Sequence, residues 1–226
     1  TGFATHDFDW ISRNIPEDMN AQLFDMTSAS AVLSLMGPRA RDILAAVTRD
    51  DVSNATFPFG RARPIGIAGC PVLALRVTYV GELGWELHLP VEYAATVYAA
   101  LMGAGQAHGL VDAGYRAIET LRLEKGYRAW SADITPDHTP LEAGLGWACK
   151  LRSNTPFKGR AALEAQRDAG VTRMLAGFTT DDPSRVIPAR STIFRNGARV
   201  GYLSSAGFGH TLGKWIGYGY VRADGP

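Results

Sequence analysis

The sequence predicts an α+β protein with two parts. Over residues 1–169, segments with the twofold period of strands and segments with the 3.6-residue period of helices follow one another, which is the pattern of an α+β fold. Beyond residue 170, short strands separated by glycine-containing turns dominate. The chain has 226 residues, of which 46% are hydrophobic and 20% charged, so it is long enough for a substantial core. We therefore predict domains at residues 1–169 and 170–226.

The first part begins with a strand that leads into a helix. Residues 30–48 show alternating apolar positions and then apolar positions spaced by three, four and seven residues. Residues 72–89 predict a β-hairpin with its turn at Gly81–Gly84. Residues 91–102 predict a helix that ends at Gly103.

A further helix is predicted from the N-cap Asp112 to Gly126. The proline-rich stretch up to residue 140 predicts a loop, residues 145–149 a strand, and residues 157–167 a short helix. In the last part, Asn196-Gly197 lies between two strand-like runs, and both residues tolerate the positive φ of a tight hairpin turn. This part predicts a β-barrel or sandwich that ends too early to close.

Composition excludes several classes of partner and site. The 23 basic and 22 acidic residues give a net charge of +1 without basic clusters, which argues against non-specific binding to nucleic acid or anionic membranes. No run approaches the ~20 apolar residues of a membrane span, and no leader pattern is present, so we predict a cytoplasmic protein. Cys70 and Cys149 lack metal or redox spacing and are predicted to be reduced core thiols. The chain lacks an initial Met and stops at Gly225-Pro226, which we interpret as truncation at both ends.

The predicted hairpin places two candidate residues on one face. With the turn at Gly81–Gly84, Tyr79 is opposite Glu86 on an apolar face, where a carboxylate needs a partner. A ligand with an amidine-like edge could donate two parallel N–H groups to Glu86. The alternative is an edge-strand Glu86 that is solvated or paired with Arg76.

Charged residues from Glu119 to Arg128 fall at helical spacings and predict a solvated helix face with weak ion pairs, Glu119 with Arg122 and Glu124 with Arg128. Beyond this helix, Tyr127 and Trp130 either close a core or line a cleft. The loop over residues 133–142 carries three carboxylates and one histidine, but it has no metal-ligand spacing, and a rigid loop is the favoured interpretation. No nucleophile elbow or phosphate-binding motif is present, so these patterns alone predict no reaction.

Five motifs resemble the glycine-cleavage T-protein (aminomethyltransferase) family. In family order they are Leu35-Met36-Gly37-Pro38-Arg39-Ala40, Tyr79-Val80-Gly81-Glu82-Leu83-Gly84-Trp85-Glu86, Leu121-Arg122-Leu123-Glu124-Lys125-Gly126, Thr139-Pro140-Leu141-Glu142-Ala143-Gly144-Leu145-Gly146-Trp147 and Phe157-Lys158-Gly159-Arg160. The residues from Thr1 to Trp10 and from Leu123 to Trp130 resemble the folate-binding C-terminal portion of sarcosine and dimethylglycine dehydrogenases.

The resemblance implies a ferredoxin-like folate-binding fold followed by a C-terminal β-barrel. It implies that Glu86 binds the pterin edge and that Tyr79 belongs to the same pocket. Tyr127 and Arg116 are further candidate cofactor-binding residues. The family's Arg before the Leu-Arg-Leu-Glu run is replaced by Ile118, and its essential Asp lies before the start of this chain, so no catalytic residue is assigned.

The implied function is transfer of a one-carbon unit to tetrahydrofolate as part of a sarcosine or dimethylglycine dehydrogenase. The implied partners are folate, a small methylated or aminomethyl amine, and a flavin dehydrogenase domain or subunit that would carry FAD separately. In the implied chemistry, tetrahydrofolate attacks an iminium made from the amine, and the site contributes proximity and keeps water away. The alternative is a non-catalytic folate-binding module or sensor with the same fold.

Overall fold

We describe residues 2–223 of the protein in a computed structural model. The chain divides into two compact units, and each unit is made of two separate stretches of sequence. One unit runs up to Thr78 and resumes over Glu82–Val111, and the other consists of Tyr79–Gly81 and the chain from Asp112 onward. The boundary predicted at residues 169/170 separates an α+β region from a β-barrel, and it stays a prediction.

The first unit contains three α-helices and four strands in the described residues. These are α1 (Ala4–Arg13), β1 (Ser30–Met36), α2 (Ala40–Val47), β2 (Ala62–Ile67), β3 (Cys70–Leu75), β4 (Gly84–Pro90) and α3 (Ala94–Gly105). The strands form an antiparallel sheet in the order β1-β4-β3-β2. A short 3₁₀ turn at Val91–Tyr93 connects β4 to α3.

The core of this unit lies between one face of the sheet and the helices α2 and α3. Trp85, Leu87 and Leu89 alternate along β4 and are buried together with Leu44 and Val97 from the helices. Because side chains alternate across a strand, the residues between them point to the opposite face of the sheet. Glu86 lies on that opposite face.

The second unit carries α4 (Tyr115–Lys125), α5 (Arg160–Ala169), β5 (Arg173–Thr179), β6 (Thr192–Arg195), β7 (Ala198–Gly209) and β8 (Lys214–Arg222). Its antiparallel sheet has the order β5-β8-β7-β6. Helix α4 packs against β7 and β8 and buries Leu123. Asn196 and Gly197 have φ angles of 51° and 80°, as a tight hairpin turn requires. The α+β class and this turn are therefore confirmed.

Several predicted elements differ from the structure. The strand predicted at residues 145–149 is wrong: Gly146–Ala148 form a 3₁₀ turn, and Trp147 is 83% exposed. Helix α4 begins at Tyr115 after an extended Gly114, so Asp112 is not its N-cap. Helix α3 continues through Gly103 to Gly105, because an isolated glycine weakens a helix without ending it.

Two elements were not predicted from the sequence. The helix α1 has no buried residue, although Ala4, Phe8 and Ile11 share one apolar face at helical spacing. The strand β2 contains Pro64 and Gly66, which weaken a strand pattern. It is an edge strand of the sheet, where a proline is tolerated.

The two cysteines are both free. Cys70 is buried in the core, as predicted, whereas Cys149 is only partly buried. Within residues 2–223, no helix is both long enough and apolar enough to cross a bilayer.

Candidate functional site

The predicted hairpin register is wrong. In the structure Leu75 is the partner of Glu86 and Leu73 is the partner of His88, so β3 ends at Leu75 and residues 76–83 form a long connection. Tyr79 lies in this connection and belongs to the second unit, whereas Glu86 lies in β4 of the first. The register differs from the prediction by four residues. An even shift leaves the side chains of β4 on the same faces of the sheet, but Tyr79 is no longer part of the neighbouring strand. The two residues therefore lie in different units.

Glu86 occupies a central strand, with Ser34 opposite it on β1 and Leu75 opposite it on β3. Its side chain is 34% exposed, and its Oε2 lies 3.5 Å from Nε2 of His88. That distance is too long for a strong hydrogen bond, so the carboxylate keeps capacity to accept donors. The alternative pairing with Arg76 does not form, since Arg76 donates from Nη1 to Asn54 Oδ1 (2.7 Å) and to the carbonyl of Phe57 (2.6 Å).

Tyr79 and Tyr127 form a stacked aromatic pair in the second unit. Their ring centroids are 6.0 Å apart, and the ring planes differ by 11°. The Tyr79 hydroxyl donates a hydrogen bond to the carbonyl of Arg128 at 3.1 Å, which fixes the ring in place. Burial raises the pKa of Tyr79, so the phenol stays protonated and remains a donor at neutral pH. The pair therefore presents two neutral aromatic rings held in one orientation.

Beneath this pair, Arg122 of α4 is buried and fully satisfied on both terminal nitrogens. Nη1 donates to Asp133 Oδ2 at 2.5 Å and to the Tyr127 carbonyl at 3.0 Å. Nη2 donates to Ser205 Oγ at 2.8 Å and to Glu119 Oε1. Burial lowers the pKa of Arg122, but the hydrogen bond with Glu119 and the charge of Asp133 outweigh this and leave the pKa above its ordinary value. The guanidinium is therefore a fixed positive charge.

Asp133 completes this network from the loop that follows α4. Its side chain is 1% exposed, and Oδ2 also accepts the backbone N–H of Ala129 at 2.9 Å. Oδ1 accepts the hydroxyl of Ser204 on β7, and the Asp133 carbonyl accepts the Tyr220 hydroxyl at 2.9 Å. Asp133 thus ties the loop carrying Tyr127 to α4 and to two strands of the sheet.

The solvated helix face predicted for this region is wrong at Arg122, whose guanidinium is 0% exposed. Leu121 and Leu123 stand about 200° apart around a helix, so both cannot share one narrow buried face. The structure buries Leu123 and Arg122 and leaves Leu121 37% exposed. The sequence carries no local signal for this burial, because Arg122 is held by Asp133 and Ser205, which are 11 and 83 positions away.

The other charged residues of α4 differ in their contacts. The predicted pair of Glu119 with Arg122 is confirmed, whereas Glu124 accepts the backbone N–H of Thr211 at 2.7 Å instead of pairing with Arg128. Arg116 lies in the first turn of α4 and is exposed. Its predicted role in cofactor binding stays a prediction.

A second polar cluster lies in the loop after the network. Glu142 is buried and bonds Arg173 at 2.9 Å, and His138 stacks on Tyr220 with a centroid distance of 4.1 Å. Burial and then the charge of Arg173 lower the pKa of His138, so the ring is neutral at neutral pH. Burial raises the pKa of Tyr220 to about 12. Among residues 2–223, no group of three or more His, Cys, Asp and Glu side chains is arranged to hold a metal ion.

Comparison with known families identifies two matching domains. Residues 1–153 match the family described as the GCVT N-terminal domain. Residues 173–225 match the family described as the glycine cleavage T-protein C-terminal barrel domain. The second match agrees with the barrel predicted for the last part of the chain.

Curated relatives include two kinds of dehydrogenase. The chain is 46% identical to mitochondrial sarcosine dehydrogenase from Mus musculus and 35% identical to mitochondrial dimethylglycine dehydrogenase from Homo sapiens. These matches cover 97% and 98% of this chain, but only 24% and 26% of the relatives. The chain therefore spans about a quarter of the length of these enzymes.

Shorter relatives share the same fold. The chain is 38% identical to an aminomethyltransferase from Halothermothrix orenii, over 96% of this chain and 59% of the relative. The crystal structure of the glycine cleavage system aminomethyltransferase T from Bartonella henselae superposes with a TM-score of 0.80 at 28% identity, covering 98% of this chain and 58% of that chain. With two family domains matched in order over nearly all of its residues, the chain belongs to the glycine-cleavage T-protein (aminomethyltransferase) family.

Proposed function

We propose that the protein binds tetrahydrofolate and takes part in transferring a one-carbon unit to it from a small methylated or aminomethyl amine. The observation that carries this proposal is the stacked pair of Tyr79 and Tyr127, held by the Arg128 carbonyl and by the buried network of Arg122 and Asp133. Two rigid, neutral aromatic rings suit a flat heterocycle, and they keep water from its face.

We propose Glu86, in the first unit, as a folate ligand on evidence of its own. A carboxylate that is 34% exposed, with no short hydrogen bond to His88, can accept two parallel N–H donors. The pterin ring of tetrahydrofolate presents such an edge, so the donor and acceptor types match. Tetrahydrofolate, when bound, supplies a nucleophilic nitrogen that receives the one-carbon unit.

The residues of this chain would bind and orient the folate, and their contribution to rate would come from position and from exclusion of water. The similarity to sarcosine and dimethylglycine dehydrogenases supports a place in a larger enzyme of that type. In that arrangement the flavin, FAD, belongs to a separate domain or subunit. Both mammalian relatives carry the word mitochondrial in their names, and the predicted cytoplasmic location of this protein stays a prediction.

A calorimetric titration with 5-formyltetrahydrofolate, a stable folate, tests the tyrosine pair. Tyr127→Leu removes a stacked ring and should weaken binding roughly tenfold, since an aromatic pair contributes about 0.5–1.5 kcal/mol beyond its buried area. Tyr127→Phe keeps the ring and should bind within about twofold of the wild type. Equal affinity in all three proteins would overturn the role of the stack.

The same titration tests Glu86 with a matched control. Glu86→Ala should lose measurable folate affinity, because the paired N–H donors of the ligand would lose their acceptor. Glu82→Ala removes an exposed carboxylate four residues away and should leave affinity unchanged. Unchanged binding by Glu86→Ala would remove Glu86 from the site. Binding without one-carbon transfer in the full-length protein would favour the non-catalytic folate module.

A further inference from the structure

A cavity of about 350 Å³ lies in the second unit around the paired strands β6, β7 and β8. It is lined by Thr192, Arg199, Val200, Gly201, Tyr202 and Arg222. Its volume falls in the range of small-molecule sites. None of these residues belongs to the tyrosine pair or to the Arg122 network.

The lining of the cavity carries two positive charges and no carboxylate. Within residues 2–223, the side chains of Arg199 and Arg222 have no hydrogen-bond, ion-pair or ring partner. Both guanidinium groups are exposed and retain all of their donors. Two unpaired arginines in one concave site create a local positive potential that attracts an anion.

The strand register adds to this positive charge. Arg222 is the cross-strand partner of Arg173 on β5, and like charges placed directly opposite each other destabilise a sheet. Arg173 is neutralised by Glu142 at 2.9 Å, whereas Arg222 has no such acid. An anion bound beside Arg222 would relieve the remaining repulsion.

Two uncharged lining residues carry hydroxyl groups. Thr192 and Tyr202 are cross-strand partners, so their hydroxyl-bearing side chains share one face. Gly201 has no side chain, and a Cβ there would overlap the Tyr220 carbonyl on β8. The backbone at Gly201 therefore approaches β8 closely, and only glycine fits there.

We propose that this cavity binds a small anionic ligand through a phosphate or carboxylate group. Arg199 and Arg222 would engage its oxygens, since the guanidinium fork matches both groups, and Thr192 and Tyr202 would add hydrogen bonds from their hydroxyls. This site goes beyond the proposed function, and it is tested without folate.

The experiment is an NMR titration of the ¹⁵N-labelled full chain with inorganic phosphate and, separately, with succinate. At 150 mM NaCl, one of the two anions should shift the amides of Thr192, Gly201 and Tyr202 and reach saturation in the millimolar range. The anion that saturates at the lower concentration identifies the preferred group. Shifts that never saturate, or that spread evenly over the surface, would overturn the site.

Variants that each lose one positive charge distinguish a specific anion site from non-specific attraction to a positively charged surface. Arg222→Gln should weaken binding at least tenfold, and Arg199→Gln should do the same. Arg195→Gln removes the same charge from β6 without touching the cavity lining and should stay within twofold of the wild type. Equal weakening by Arg195→Gln and Arg222→Gln would refute the proposal. Unchanged melting temperatures for all variants show that each comparison reports binding.

Discussion

Replacing Asp133 with Asn should unfold the second unit more easily than any neighbouring carboxylate replacement. Asp133 is 1% exposed and accepts hydrogen bonds from the Arg122 guanidinium, the Ala129 amide and the Ser204 hydroxyl. Asn keeps the size of the side chain but removes the charge. The Arg122 guanidinium then stays buried without its most enclosed counter-ion.

The expected magnitude follows from the partners that remain. Breaking a buried ion pair by removing one member costs about 3–5 kcal/mol. Arg122 keeps Glu119, whose side chain is 36% exposed, so a cost near the lower limit of about 3 kcal/mol is expected. For a chain of this size, that corresponds to a fall of roughly 6–12 °C in melting temperature.

Urea denaturation followed by tryptophan fluorescence and circular dichroism measures this loss. Asp137→Asn is the control, since that residue lies in the same loop and is exposed. The double variant Arg122→Met with Asp133→Leu should be more stable than either single charge removal, because it leaves no unpaired buried charge in the pair. A loss below about 1 kcal/mol in Asp133→Asn, or a loss equal to that of Asp137→Asn, would refute the argument.

Three further predictions concern backbone space and pH. Gly103→Ala should stabilise the protein by about 0.5–1 kcal/mol, because Gly103 lies inside α3 and no atom is within 4 Å of the position of an added Cβ. Gly201→Ala should destabilise the protein, because its Cβ would overlap the Tyr220 carbonyl. Thermal melts of both variants compare these effects. Burial and Arg173 lower the pKa of His138 below 6.5, so stability should fall as pH drops below that value, and His138→Gln should flatten this part of a stability–pH curve. Burial raises the pKa of Glu142, but Arg173 and a backbone N–H bring it below 4.5. The stability that Glu142 contributes is therefore complete above pH 4.5 and is lost as the pH falls further. Glu142→Gln should remove this loss of stability at acidic pH.

Local features were predictable from the sequence because their causes are local. The turn at Asn196-Gly197 follows from two residues that tolerate positive φ, and the burial of Leu35 follows from alternation along one strand. The buried pair of Arg122 and Asp133 was not predicted, since its environment depends on Ser204, which is 71 positions from Asp133.

The candidate site shows the same limit. The hairpin register failed because Tyr79 leaves the strand and hydrogen-bonds to Arg128, which is 49 positions away. The alternation of apolar residues shows which face of a strand each side chain occupies, but only while the strand continues. It does not show where the connecting residues after the strand pack. Glu86 kept its place on the face opposite Trp85, because alternation along β4 alone decides it.

The short segment Tyr79–Gly81 has a consequence for dissecting the protein. These residues lie within the first unit's stretch of sequence yet belong to the second, where Gly81 approaches Lys125 closely and Tyr79 stacks on Tyr127. A cut at Val111 would therefore leave the C-terminal fragment without one ring of its aromatic pair. No single cleavage yields both units complete, because a fragment of residues 1–111 holds the whole first unit but also carries three residues of the second.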